Sequence, residues 1–342
     1  MNLFLRSVVS LACFGRMVVA FSSMARTRTF RYVPYGESAP SDSLTITCDG
    51  RVPGSSLEVT HWTGTETPDL LYADTSTEMA LKLAKNANEY QEFESATVLN
   101  NHYDTDGVCS VWACLEPELA LKYEKILISA AEAGDFGEWN SDEGLKMDLI
   151  LSEFCLSDEE QAYERALTEM PEILKDMDAT GGEKYKKLWE AGYQDAISDW
   201  SDICEGRINL RRSANRMHLV IAEEATPTSR VSCYALHRGM KVKDLWSGTT
   251  RVLRVNHLAN SNLNKYCYEK VGHGWVSKLV DRHIVPSVSE TESLIVELNK
   301  AHKGNPWSAK GPSGLVAICQ NQQGISAAAD DVAALLSQLD EH

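Results

Sequence analysis

Three potential metal ligands stand at alternate positions in "TVLNNHYDTDGVCSVWACL", residues 97–115: His102, Asp104 and Asp106. An apolar run stops at Asn100 and Asn101, the ligands follow, and Gly107 precedes a second apolar run. In an extended chain alternate residues share a face, so the three side chains can converge as a strand leaves its sheet. Two carboxylates and one imidazole suit Mn²⁺, Mg²⁺ or Fe²⁺ better than a structural zinc, which prefers cysteine and histidine in tetrahedral array. A second ion needs more ligands. Asp74 and Asp135 each close a predicted strand and can reach the same edge, and His61 ends another. Two ions about 3.5–4 Å apart would activate a water and clamp a phosphoryl oxygen. Asp104 and Asp106 are then the candidate catalytic residues. The clustered carboxylates would repel each other without metal, so Asp106→Asn is expected to leave the metal-free protein as stable as before, or more so.

A calcium loop with His102, Asp104 and Asp106 at positions 1, 3 and 5 puts Gly107 at position 6, but Ala113 falls where a bidentate Glu is required. That reading fails. A polar turn that caps the following helix remains open beside the metal site, because Asp and Gly are common in turns.

The surrounding segments supply strands and helices to position these residues. "SLTITCD" (43–49) and "SLEVTHW" (56–62) read as strands, the second ending at His61 and Trp62. "DLLYAD" (69–74) reads as a buried strand, followed by a helix whose capping box is Thr75 with Glu78. "SATVLNN" (95–101) is a further strand, with a helix over about 108–123 after it. "EKILISAAEAGDFGEW" (124–139) begins as a strand or a buried helix and ends at Gly134 and Asp135. Alternating strands and helices predict an α/β layer with a mostly parallel sheet, whose carboxyl edge is where such sheets bind ligands.

Residues 142–205 turn helical and acidic and read as a connector or cap. From 206 to 342 strand-like segments such as "MHLVIAEE", "RVSCYAL" and "TTRVLRVNHL" mix with two helices, predicting a second, smaller α/β or α+β domain. There, "INLRRSANRMHLVIAEE" offers Arg211, Arg212 and His218 as a clamp for a substrate phosphate, since Arg binds phosphate bidentately. A solvated loop that offsets an acidic surface fits the same residues.

Residues 1–30 are distinct. No acidic residue precedes Glu37, while Arg6, Arg16, Arg26 and Arg28 are present. Val18 and Ala20 fit a small-residue cleavage site before Phe21. A signal sequence followed by "SSMARTRTF" resembles the two-part leader of complex plastids, so plastid delivery is expected. The secretory pathway and the mitochondrion are the alternatives, and a form starting at Met24 would stay in the cytosol. The formal net charge of −16 argues against duplex nucleic acid and anionic membranes as partners. No run of about 18 apolar residues follows the leader, so no membrane span is expected. Nine scattered Cys without a C-x-x-C pair suit a reducing compartment.

"HYDTDGVCS" resembles the first motif of the DHH phosphoesterase superfamily, a His-x-Asp-x-Asp-Gly-x-x-Ser pattern matched by His102, Asp104, Asp106, Gly107 and Ser110. The resemblance implies a DHH-like metal-binding domain over residues 31–141, with these His and Asp side chains as ligands, usually of Mn²⁺. "ISAAEAGDF" is similar to the superfamily's next metal-binding Asp, here Asp135. "GHG" around His273 resembles a substrate-binding Gly-Gly-His element. The defining Asp-His-His triplet is absent; Thr60, His61 and Trp62 stand in a comparable segment, in permuted order. Over most of the chain, "FRYVPYG", "ADTSTE" and "NNHYDTDGVCSVWA" are similar to a largely bacterial family of unknown function. The resemblance implies a phosphoesterase using one or two ions on a small phosphorylated or nucleotide substrate. Loss of the triplet leaves a non-hydrolytic relative that binds a nucleotide or a metal as the alternative, and a different metal-dependent hydrolase or isomerase as a third.

Overall fold

Strand β2 (Thr45–Cys48) is buried at every residue, the pattern of a strand covered on both faces. It lies inside a parallel sheet with β1 (Thr29–Tyr32), β3 (Leu57–Val59) and β4 (Thr97–Asn100), in the order β1-β4-β2-β3. The structure, a computed structural model, describes residues 28–155, 158–214, 216–224, 232–246, 251–258, 261–270, 288–302, 307–309 and 318–339. Helices α1 (Ser76–Lys85), α2 (Thr105–Leu115), α3 (Pro117–Lys122) and α4 (Glu124–Phe136) complete the first layer. The Thr75–Glu78 capping box starts α1 as expected. Next come α5 (Asp142–Phe154), α6 (Glu159–Thr180) and α7 (Lys186–Cys204). They share one apolar core with the sheet, running from Ile46 and Val98 through Trp112 and Met147 to Ile173 and Trp189. The helical stretch is thus packed into the first layer rather than set apart as a connector.

The second sheet holds β5 (Ile208–Ser213), β6 (Arg216–Glu224), β7 (Arg251–His257), β8 (Asn264–Lys270), β9 (Ser308–Ala309) and β10 (Ile318–Ile325). Their order is β5-β6-β7-β8-β10-β9, antiparallel except for the β6–β7 pair. Helices α8 (Cys233–Val242), α9 (Val288–Ala301) and α10 (Ala329–Leu339) accompany it. The α/β class with a second, mixed sheet is therefore as expected.

Four local expectations are corrected. Residues 69–74 are turns, not a strand: Leu71 N–H donates to Pro68 O, Tyr72 N–H to Asp69 O, and Leu70 is left exposed. Asp135 ends a helix instead of a strand, because Leu127, Ala130 and Ala131 bury one helical face and Gly137, at φ +64°, stops the helix. "RVSCYAL" contains the start of α8, where the Ser232 side chain accepts from Ala235 N–H. Residues 28–30 belong to the fold and not to a leader: Arg28 donates to Phe93 O and Cys114 O, and β1 begins at Thr29. Among the described residues no helix is long and apolar enough to cross a membrane.

Candidate metal centre

Three neighbouring strands deliver the centre at the carboxyl edge of the parallel sheet. Asp49 follows β2, His61 lies two residues past β3, and His102 two residues past β4. Since β2 runs between β4 and β3, the Asp49 carboxylate falls between the two imidazoles. Its Oδ1 is 3.2 Å from His61 Nε2, and its Oδ2 is 3.2 Å from His102 Nε2. The chain turns sharply to place it there, with φ +41° at Asp49 and +121° at Gly50. A Cβ on Gly50 would lie 2.6 Å from Asn101 Oδ1 and 3.2 Å from the His102 ring, so a glycine is required by both conformation and space.

Each imidazole is held from behind. His61 Nδ1 is 2.6 Å from the Asp74 carbonyl oxygen, and His102 Nδ1 is 3.1 Å from Asn101 Oδ1. These oxygens fix the proton on Nδ1 in the neutral rings, so each Nε2 turns its lone pair toward the carboxylates. Metal-ligating histidines are oriented in the same way.

The remaining carboxylates come from helix ends. Asp104 Oδ2 lies 3.1 Å from His102 Nε2, while Oδ1 accepts from Gly107 N–H at 2.7 Å and caps α2. Asp106 Oδ2 is 4.0 Å from His61 Nε2. Both Asp106 oxygens also accept peptide N–H groups from the first turn of α1, from Ser76 at 2.7 Å and Thr77 at 2.8 Å. Asp135 reaches in from the last turn of α4, with Oδ2 3.4 Å from His61 Nε2. That oxygen is buried and makes no hydrogen bond. Ser76 Oγ donates to Asp49 Oδ1 at 3.0 Å.

Asp49, His102 and Asp104 form one group of potential ligands, and Asp49, His61 and Asp106 a second, with ligating atoms within 4.8 Å in each. His61, His102, Asp104, Asp106 and Asp135 thus lie around Asp49, but not by the expected alternation along a strand: Asp106 belongs to the first turn of α2 and to the His61 group, apart from His102 and Asp104. Asp49, which bridges the two groups, was not anticipated, although it closes the predicted strand "SLTITCD". Asp74 contributes its backbone carbonyl, and its carboxylate belongs to neither group. Two anchored imidazoles facing carboxylates, with no thiolate among them, fit a divalent metal ion.

Burial strains this cluster. Burial alone would raise the Asp49 carboxyl, but the His102 and His61 rings hold it well below the ordinary carboxylate range. Burial would lower His61, yet Asp49 and Asp106 push it up to about 9. His102 is likewise pulled down by burial and raised, on balance, by Asp104 and Asp49. Burial, followed by the Asp49 charge, pushes Asp106 up to about 7, and burial with the Asp106 charge raises Asp135 well above the ordinary carboxylate range.

Of the residues expected to clamp a substrate phosphate, Arg211 and Arg212 lie on β5 of the second sheet. Arg211 donates to both oxygens of Asp330, at 2.9 and 3.0 Å, and to Glu223 across the β5–β6 hairpin. Arg212 lies on the same strand and donates to Asp244 O. The His218 side chain and all of His273 lie outside the described residues.

At about pH 5.5, below the Asp106 value, metal-free Asp106→Asn should unfold more easily than wild type, by about 1–3 kcal/mol in denaturant melts. An amide nitrogen would then face a peptide N–H of α1 where an oxygen now accepts. This reverses the sign expected from carboxylate repulsion alone, and equal or greater stability would show that repulsion dominates. Wild-type stability in EDTA should decline with rising pH. The contribution of raised Asp106 is fully present below about 4 and lost through 7; that of raised His61 is fully present below 6.5 and lost through 9. Lowered Asp49 acts in the opposite sense, only below 3.8. A melt series from pH 5 to 9.5 that stays flat or rises would refute this charge balance.

Comparison with known proteins comes to little on activity. No curated protein matches the chain. One solved structure that it matches, the pGpG-specific phosphodiesterase PggH from Vibrio cholerae, is covered over 83% of its chain and 87% of this one, at 12% identity and a TM-score of 0.35. A family of unknown function (DUF6687) matches residues 28–330, and the protein belongs to that family.

Proposed function

We propose that the protein is a metal-dependent phosphoesterase acting on a small phosphorylated substrate, with Mn²⁺ as its metal and Mg²⁺ or Fe²⁺ as alternatives. The observation that carries this reading is the Asp49 carboxylate shared by two histidines whose Nδ1 atoms are already anchored. One carboxylate with an imidazole on each oxygen is suited to bridging two ions, and Asp104, Asp106 and Asp135 complete the surroundings. The resemblance to the DHH motif supports the same assignment. Absence of the Asp-His-His triplet argued for a non-hydrolytic relative because ligands were too few; Asp49 and His61 remove that shortage.

Bound divalent metal would supply positive charge to a phosphoryl oxygen and a nucleophilic water at neutral pH. The chain's own residues do the rest. Asp74 O and Asn101 Oδ1 hold the Nδ1 proton of each ring and point its Nε2 inward, where metal would displace the remaining proton. The two α1 peptide N–H groups fix Asp106. Asp104, whose side chain is 42% exposed, marks the open side. A cavity lined by Asp104 and Asp135 begins there, and no Lys or Arg is among its lining residues. An anionic substrate would be repelled by these carboxylates until metal offsets them, so metal should bind before substrate.

Metal analysis of the purified protein after Mn²⁺ loading should find two ions per chain, with turnover on a panel of small phosphomono- and phosphodiesters. One ion or none, without turnover, would replace the enzyme with the metal- or nucleotide-binding relative. We also propose that the residues before the fold deliver the protein to a plastid, on their composition. A fluorescent fusion of residues 1–40 should enter the plastid; cytosolic fluorescence would reject this.

A further inference from the structure

The cavity that begins at Asp104 and Asp135 has a volume of about 370 Å³, near the small end of the about 300–1,000 Å³ typical of ligand pockets. That is room for one small molecule. One part of its wall is formed by Thr105, Asp148 on α5 and Tyr234 on α8. The hydrogens on this wall are already committed. Thr105 Oγ1 donates to Asp148 Oδ1 at 2.5 Å, and Tyr234 Oη donates to Asp148 Oδ2 at 2.9 Å. Tyr103, also in the lining, donates its hydroxyl to Leu151 O at 2.9 Å. Each of these oxygens keeps lone pairs and has no proton left to offer.

A wall of acceptors is a poor seat for phosphate, which brings only acceptors and negative charge at neutral pH. It suits a group that brings donors. Resting on the phosphoesterase reading, we infer that the phosphate sits at the metal centre, that this cavity takes the rest of the substrate, and that it selects a hydroxyl-bearing sugar or polyol whose O–H groups donate to Asp148 and Tyr234. A hydroxyl suits the site better than an ammonium group. It can also accept from the Ser152 hydroxyl in the same lining, and the charge of Asp148 is already shared between two O–H donors. Tyr234 and Asp148 would then be specificity residues, contributed by elements outside the parallel sheet.

Phosphonates test this without turnover, since their C–P bond is not hydrolysed by a phosphoesterase. Calorimetric titrations of the full chain with Mn²⁺ would compare 2,3-dihydroxypropylphosphonate, propylphosphonate and 3-aminopropylphosphonate, with inorganic phosphate alongside. The diol should bind wild type about tenfold more tightly than the propyl compound, the scale of one or two added neutral hydrogen bonds. In Tyr234→Phe, and separately in Asp148→Asn, that ratio should fall to about one. A ratio of one in wild type, a ratio kept in both variants, or tighter binding of the aminopropyl compound would each overturn the inference. Failure of the phosphoesterase reading looks different: phosphate and propylphosphonate would show no Mn²⁺-dependent binding, while a diol preference lost in Tyr234→Phe would still uphold the cavity assignment. If none of the four compounds binds, both fall.

Discussion

The structure turns on one buried carboxylate held between two imidazoles. Asp49 is 1% exposed, and an isolated charge at that depth would be strongly disfavoured. Its two oxygens are matched by His61 and His102, and Ser76 Oγ adds a hydrogen bond to one of them. The match follows from strand order. With β2 between β4 and β3, the residue leaving β2 stands between those leaving its neighbours, whose strands are spaced by about 4.8 Å. Asp104, Asp106 and Asp135 then add more negative charge than two protonated rings can offset. Burial first, and then that excess, raises Asp106 and Asp135, while the facing carboxylates raise His61 and His102 against their burial. A divalent ion would relieve the same excess by displacing the protons.

The motif "HYDTDG" shows why a turn and a ligand set need not be alternatives. Asp104 caps α2 through one oxygen and faces His102 with the other. Asp106 satisfies two peptide N–H groups at the start of α1 while facing His61. Carboxylates at helix N-termini are favoured by the local dipole, so the bonds that start two helices also hold the ligands in place. Gly107 completes the arrangement by its size. A Cβ there would lie 2.6 Å from the buried Tyr163 hydroxyl and 2.8 Å from Asn100 Nδ2.

What the sequence revealed and what it hid divide along the same line. His102, Asp104 and Asp106 are neighbours in the chain and so were legible as candidates, although a helix start at Thr105, not a period of two, sets where Asp106 faces. His61 was legible as the end of an apolar segment. Asp49 ended an equally clear segment, "SLTITCD", but its importance depends on β2 being an inner strand, which no local pattern encodes. Asp135 was assigned to the right place through the wrong element, because the short, alanine-rich run before it fits a buried helix or a strand equally well. The partners of Arg211 on β5 were hidden for a related reason: Glu223 on the neighbouring strand and Asp330 on a helix are distant from it in sequence.

The C-terminal half bears on the cluster through a helix. Gly137, which ends the helix carrying Asp135, sits so close to α8 that a Cβ would lie 2.6 Å from Cys233 Sγ. Two residues on, Trp139 N–H donates to His237 Nδ1, again on α8. Tyr234, one residue from Cys233, reaches Asp148 on α5. One face of α8 therefore braces the helix end that holds Asp135 and also closes the wall of the adjoining cavity. The parallel sheet places Asp49, His61 and His102, but the position of Asp135 and the shape of the space beside it depend on how α8 docks. A change in that docking would act on the candidate centre through Asp135, which α4 carries, rather than through the three residues that leave the sheet.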